Sequence, residues 1–193
     1  DMGFDVLLGI ARFWSQRVNF SEANQKWMIL GVTGPNEYEN NVHNNWYTNY
    51  IAKWCMNYAI EIGEWLSEQH TEVYKAKCVA RDLDPQVEFK EWSKRADNMH
   101  LPSLEGTNVF LQQDGFMDKE QLFASDLSSS DRPINQNWSW DRILRSVFIK
   151  QADVLQGLYF FGDDFSREQL EDNFDFYEPR TVHESSLSLC ARC

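Results

Sequence analysis

The chain has 193 residues, 42% of them hydrophobic and 25% charged, which suffices for one domain with a sizeable core and is too apolar for a disordered chain. Its formal net charge of −12 argues against nucleic-acid binding, because the phosphate-neutralising surplus of Lys and Arg is missing. With only 9 Gly and 5 Pro, a turn-rich all-β chain is also disfavoured.

The residues Phe4, Leu7, Leu8, Ala11 and Trp14 fall at helical spacing and predict a first helix that starts almost at the first residue. The run Trp27-Met28-Ile29-Leu30-Gly31-Val32 is the best strand candidate, directly before a loop at Gly34. Tyr47, Tyr50, Ile51, Trp54, Cys55, Tyr58, Ile62, Trp65 and Leu66 keep the 3.6-residue period and predict a long helix. The Asn-rich stretch 40–45 before it offers an N-cap. Further helices are predicted over Thr71 to Asp82 and over Pro85 to Met99, with Pro85 at the first helical position. Residues 100–138 are loop-rich, and a loop this long inside a compact domain is usually functional. Apolar spacing then predicts one helix from Trp140 to Phe161 and another from Ser166 to Phe176, followed by a connection around Pro179. Ser185 to Cys193 read as the first turns of a last helix, so the sequence reads as a piece of something longer. The fold class expected is all-α, built of helical hairpins joined by long polar loops that can carry a site.

Eight Trp, seven Tyr and thirteen Phe fit first of all a large helical core, and beside it a site that stacks flat sugar rings. Of the four cysteines, Cys190 and Cys193 form a C-x-x-C with no second ligand pair, so no metal is expected and two thiols on one helical face suffice. Neither a leader nor a membrane-length apolar run is present, which makes a cytoplasmic location the default and membrane association unexpected.

Three clusters carry chemistry. In Gly31-Val32-Thr33-Gly34-Pro35-Asn36-Glu37-Tyr38-Glu39, the Gly-Pro turn can present Glu37 rigidly among amides and an aromatic ring. Such surroundings can raise a carboxyl pKa and make a general acid, with Glu39 as a possible partner; a merely solvated loop Glu is the other reading. Lys150 and Gln151, on the helix predicted through them, are either donors aimed at sugar hydroxyls or a snorkelling edge. His183, Ser185 and Ser186 lie before the terminal helix and make either an anion site or an ordinary Ser cap. No Walker loop, dinucleotide fingerprint, nucleophile elbow or H-E-x-x-H motif occurs, so no cofactor is indicated.

Taken in order, these runs, with Asn44-Asn45-Trp46-Tyr47-Thr48-Asn49, Phe110-Leu111-Gln112-Gln113-Asp114-Gly115-Phe116, Asn137-Trp138-Ser139-Trp140-Asp141 and Ile149-Lys150-Gln151-Ala152-Asp153-Val154, resemble glycoside hydrolase family 65 over essentially the whole chain. The resemblance is strongest to its maltose-cleaving phosphorylases. It implies that residues 1–193 are the C-terminal part of a catalytic (α/α) six-hairpin barrel in a longer multidomain enzyme. It implies Glu37 as general acid, Lys150 and Gln151 as contacts to the glucosyl residue, and His183, Ser185 and Ser186 as phosphate ligands. The reaction implied is inverting phosphorolysis of maltose to β-D-glucose 1-phosphate and glucose, with inorganic phosphate as co-substrate, no cofactor, and a homodimer. Trehalose, kojibiose or nigerose phosphorolysis, a water-using barrel hydrolase with Glu184 as base, and a non-catalytic sugar-binding fragment are the alternatives.

Overall fold

The computed structural model describes residues 2–184 and divides the chain into two compact units. The first comprises residues 1–29 and 49–100, the second residues 30–48 and 101–193.

The first unit is held by helices whose apolar faces are legible in the sequence. Helix α1 (Met2–Arg17) buries Phe4, Leu8 and Ala11. A two-stranded antiparallel hairpin follows, β1 (Asn19–Ser21) with β2 (Lys26–Met28), in the register Phe20 opposite Trp27. Helix α2 (Trp46–Gln69), most of which lies in this unit, buries Ala52, Met56 and Ala59. Helix α3 (Thr71–Ala80) buries no residue. Helix α4 (Pro85–Asp97) starts as its sequence dictates: the Asp84 side chain accepts the Gln86 N–H at 3.0 Å and Pro85 opens the first turn. Charged side chains tie these elements at their rims. Arg12 makes two bonds to Glu88, of 2.7 and 2.6 Å, and Asp5 receives Lys77 at 2.6 Å and Arg81 at 3.0 Å. Hydrogen bonds from Arg81 and Lys77 pull the Asp5 pKa down to about 2.

The second unit is mostly connection. Its helices are short: α5 (Ile134–Asn137), α6 (Trp140–Arg145), α7 (Asp153–Phe160) and α8 (Arg167–Tyr177). Ser139 caps α6, and Ser166 with Gln169 forms a capping box on α8. One apolar cluster gathers Tyr38, Ile134, Ile143, Phe148 and Val182. Elsewhere Trp46 stacks on Phe110 at 5.0 Å, with Phe165 against both. A Cβ at Gly157 would come within 2.7 Å of the Trp46 ring, so within this unit α7 lies against Trp46 and Tyr47 through a bare backbone.

Two expectations fail here. The helix expected from Trp140 to Phe161 is two helices separated by extended chain. Val147, Phe148 and Ile149 are all buried, a wider arc than one apolar helix stripe covers, and β-branched and aromatic residues suit extended backbone. Their backbone also has partners: Val147 N–H donates to Glu120 O at 3.2 Å and Val182 N–H to Ile149 O at 3.0 Å. Lys150 and Gln151 therefore lie on a connection, not on a helix. The strand expected over Trp27 to Val32 continues as a ladder only through Met28, with Val32 in an isolated bridge to Val42, and its partner Asn19–Ser21 is too short to show a pattern. The terminal helix expected from Ser185 to Cys193 lies outside the described residues.

Candidate active site

The loop carrying Glu37 is closed at its base and turned at its tip. Val32 and Val42 exchange backbone hydrogen bonds of 2.9 and 2.8 Å, and the Gly31 N–H donates to His43 Nδ1 at 3.1 Å. The Asn-rich stretch supplies unusual backbone and a cap. Asn41 and Asn44 adopt positive φ, which Asn tolerates better than most residues. Asn45 accepts the Thr48 N–H at 2.9 Å and so caps α2. Gly34 allows the loop to lie against that cap, since a Cβ there would fall 2.5 Å from Asn45 Nδ2.

At the tip, Glu39 N–H donates to Asn36 O at 3.1 Å, which places Glu37 and Tyr38 at the centre of a turn. Asn36, Tyr38 and Glu39 are all buried, and Glu37 alone of the four is exposed. The turn thus presents one carboxylate. Glu39 is no partner for it: its side chain is buried in an ion pair with Lys119.

The segment 149–151 forms the other wall. Lys150 N–H donates to Asn36 Oδ1 at 3.0 Å, and Gln151 Oε1 accepts the Glu37 N–H at 3.1 Å. The Lys150 ammonium is hydrogen-bonded to the Glu37 carboxylate. That bond, then one from the Gln151 side chain, holds the Glu37 pKa below the ordinary carboxylate value. A raised pKa was expected from the sequence; the site has the opposite, because the Lys150 cation and the Gln151 amide favour the ionised form and outweigh the carboxyl's desolvation.

On its other edge the same segment pairs with residues 180–182, through Ile149 N–H to Arg180 O at 3.1 Å. His183 follows at once, with a positive φ, and its Nε2 lies 3.6 Å from Glu178 Oε1. It lines a cleft of about 420 Å³ with Phe123, Ala124, Ser125, Glu178, Pro179 and Thr181, to which neither Glu37 nor Lys150 contributes. Glu184 is engaged: its carboxylate accepts the Ile134 N–H at 3.0 Å and the Tyr38 hydroxyl at 2.9 Å. Glu37, Lys150 and Gln151 are therefore brought together, with His183 one strand-like step away, while Ser185 and Ser186 lie outside the described residues.

Behind the site stand polar residues that sequence reasoning did not bring together. Asp153, fully buried at the start of α7, accepts Asn45 Nδ2 at 2.8 Å and Gln112 Nε2 at 2.9 Å. Gln112 Oε1 accepts Asn36 Nδ2 at 3.4 Å. The bonded pairs among Asn36, Asn45, Gln112 and Asp153 lie up to 108 positions apart, so only their place in polar runs hinted at them.

The model of the glycosyl hydrolase family 65 central catalytic domain matches residues 1–193. The chain belongs to this family. Among relatives, a maltose phosphorylase of Bacillus subtilis is 51% identical over 97% of this chain and 24% of its own length. A kojibiose phosphorylase of Halothermothrix orenii is 40% identical over 96% of this chain and 24% of its own. A solved structure from the human microbiome, assigned as a kojibiose phosphorylase, superposes with a TM-score of 0.84 at 33% identity, covering 98% of this chain and 26% of that one. The chain thus spans about a quarter of the length of the family 65 relatives it matches. The all-α class expected from the sequence, part of an (α/α) barrel, agrees with the family and with this neighbour. No described helix is long and apolar enough to cross a membrane.

Proposed function

We propose that the full-length protein containing this chain is an inverting disaccharide phosphorylase, with residues 1–193 as the C-terminal part of its catalytic barrel. The observation that carries the reading is the turn at 36–39, which buries its neighbours and exposes only Glu37, against Lys150 and Gln151. Glu37 is the general acid. It gives its proton to the glycosidic oxygen as the bond to the anomeric carbon breaks, and a phosphate oxygen bonds to that carbon from the opposite face. Inverting hydrolysis needs a second carboxylate to activate water, whereas phosphate is already an anionic nucleophile. Holding it in place supplies the remaining advantage. His183, Ser185 and Ser186 are the proposed phosphate ligands, inorganic phosphate is the co-substrate, and no cofactor takes part.

The Lys150–Glu37 pair fits this scheme as a resting state. Glu37 is largely exposed, so the pair is cheap to separate. A glucosyl residue whose hydroxyls engage Lys150 and Gln151 removes the cation from Glu37 and shields the carboxyl from water. Both changes raise its pKa toward that of a working acid. Glu184, already committed to Ile134 and Tyr38, is a poor base for water, which favours phosphorolysis over hydrolysis.

Maltose is the proposed disaccharide and a homodimer the proposed assembly, with the reaction yielding β-D-glucose 1-phosphate and glucose. Kojibiose, trehalose and nigerose are the alternatives, since phosphorylases of all three are among the relatives. The test is turnover of the four disaccharides by the full-length protein with and without phosphate. Phosphate-dependent cleavage of maltose above the other three is expected; glucose release from it without phosphate would sink the proposal.

A further inference from the structure

We propose that Asp153 is a positioning residue, whose buried carboxylate fixes, through Gln112 and Asn36, the two main-chain segments that carry Glu37 and Lys150. The inference rests on the functional reading above for what those segments do, and on geometry alone for how they are held. Asp153, Gln112 and Asn36 are at most 1% exposed, so water cannot substitute for a lost partner.

The direction of each bond follows from the carboxylate. An ionised Asp can only accept, and Asp153 receives three N–H groups: Asn45 Nδ2, Gln112 Nε2 and its own helix at Val154 N, the last at 2.9 Å. Gln112 must therefore turn its amide nitrogen to Asp153 and its carbonyl oxygen to Asn36. Asn36 must then turn its nitrogen to Gln112, which leaves Oδ1 for the backbone. That oxygen accepts Lys150 N–H at 3.0 Å and Tyr38 N–H at 3.3 Å, one from each wall of the site. An amide reversed anywhere along the relay puts nitrogen against nitrogen or oxygen against oxygen. Burial pushes the Asp153 pKa up to about 6, while the three N–H groups it accepts favour its charged form.

The relay predicts coupling between its two ends, which meet through Gln112. In Asn36→Asp, a carboxylate oxygen opposes Gln112 Oε1. In Asp153→Asn, the new amide nitrogen opposes Asn45 on one side or Gln112 and Val154 on the other. In the double variant Gln112 can reverse: its nitrogen donates to Asp at 36, its oxygen accepts from Asn at 153, and Asn45 keeps an acceptor. The Tyr38 and Lys150 N–H groups retain theirs, while the Val154 N–H, which shares one Asp153 oxygen with Gln112, loses its acceptor, so the rescue is partial.

The experiment is a double-variant cycle in the full-length protein, measuring kcat and KM for phosphorolysis beside the unfolding midpoint. Each single change is expected to lower kcat at least tenfold with KM changed less than threefold. The double should exceed the product of the two losses by at least tenfold in kcat. Multiplicative losses, or singles with unaltered kcat, would overturn the inference. Should a single variant not fold, hydrogen exchange in the wild type decides. The amides of Tyr38 and Lys150 are expected to exchange as slowly as those of α7, and rapid exchange of either overturns the relay. A wild type without phosphorolysis would refute the functional proposal, and the exchange measurement would still decide the positioning claim.

Discussion

Each of the two units is held internally by a different force. Among the buried polar residues of the described chain, only Asn49 belongs to the first unit; Asn36, Glu39, Asn44, Asn45, Gln112, Gln113, Ser146, Asp153, Asn173 and Thr181 all belong to the second. The first unit buries apolar helix faces and leaves its charges paired at the rim, where they are worth little. The second replaces regular structure with side-chain amides that bond the backbone of loops. Asn173, for example, accepts Phe110 N–H at 2.8 Å and donates to Asn108 O at 2.9 Å. A backbone held by directional bonds can present one carboxylate in a fixed place; a backbone held by apolar burial need not.

The comparison can be broken by substitutions of decreasing expected effect. Met56→Ala, in the core of the first unit, should cost about 2–5 kcal/mol by urea unfolding and leave the kcat of the folded protein unchanged. A changed kcat would mean that the first unit shapes the site. Gly34→Ala drives a Cβ into the Asn45 amide and should cost about 1–3 kcal/mol. It should also lower kcat, because the same amide caps α2 beside the site; wild-type turnover would break the link between loop packing and function.

A pH profile sharpens the site itself. Lys150 holds Glu37 below the ordinary carboxylate value in the free protein, and bound sugar should release it. The acid must be protonated to work, so activity falls as pH rises through its pKa. The basic limb of kcat/KM, which reports the free enzyme, should therefore lie at lower pH than that of kcat. Coincident limbs would show that the ion pair persists in the complex. The smallest effect is Gly9→Ala in the exposed face of α1, where a Cβ meets nothing within 4 Å. A gain of about 0.5–1 kcal/mol is expected from the lost backbone entropy of the unfolded chain, and a loss would show that this face is covered.

This division also decides what the sequence discloses. Helix α2 was legible to within a few residues because its apolar period is long, and α4 because Asp84-Pro85 is a local start signal. The segment 146–152 was misread, since a run of buried apolar residues fits a helix stripe until each neighbour is known to be buried. Glu37, Lys150 and Gln151 were legible as candidates from their motifs. The amides behind them were not, because Asn36 meets Gln112 across 76 positions and Glu39 meets Lys119 across 80. A polar letter does not reveal its distant partner. The lowered pKa of Glu37 was invisible for the same reason.

The central claim is that Glu37 supplies the proton for the departing sugar. The most direct measurement compares Glu37→Gln with wild type in the full-length protein on two substrates, maltose and α-D-glucosyl fluoride, each with phosphate. Fluoride leaves with little help from an acid, whereas a sugar alkoxide does not. Turnover of maltose should fall roughly 10²–10⁴-fold while phosphate-dependent fluoride release stays within about tenfold of wild type. Equal losses on both substrates would contradict the assignment of Glu37 as the acid.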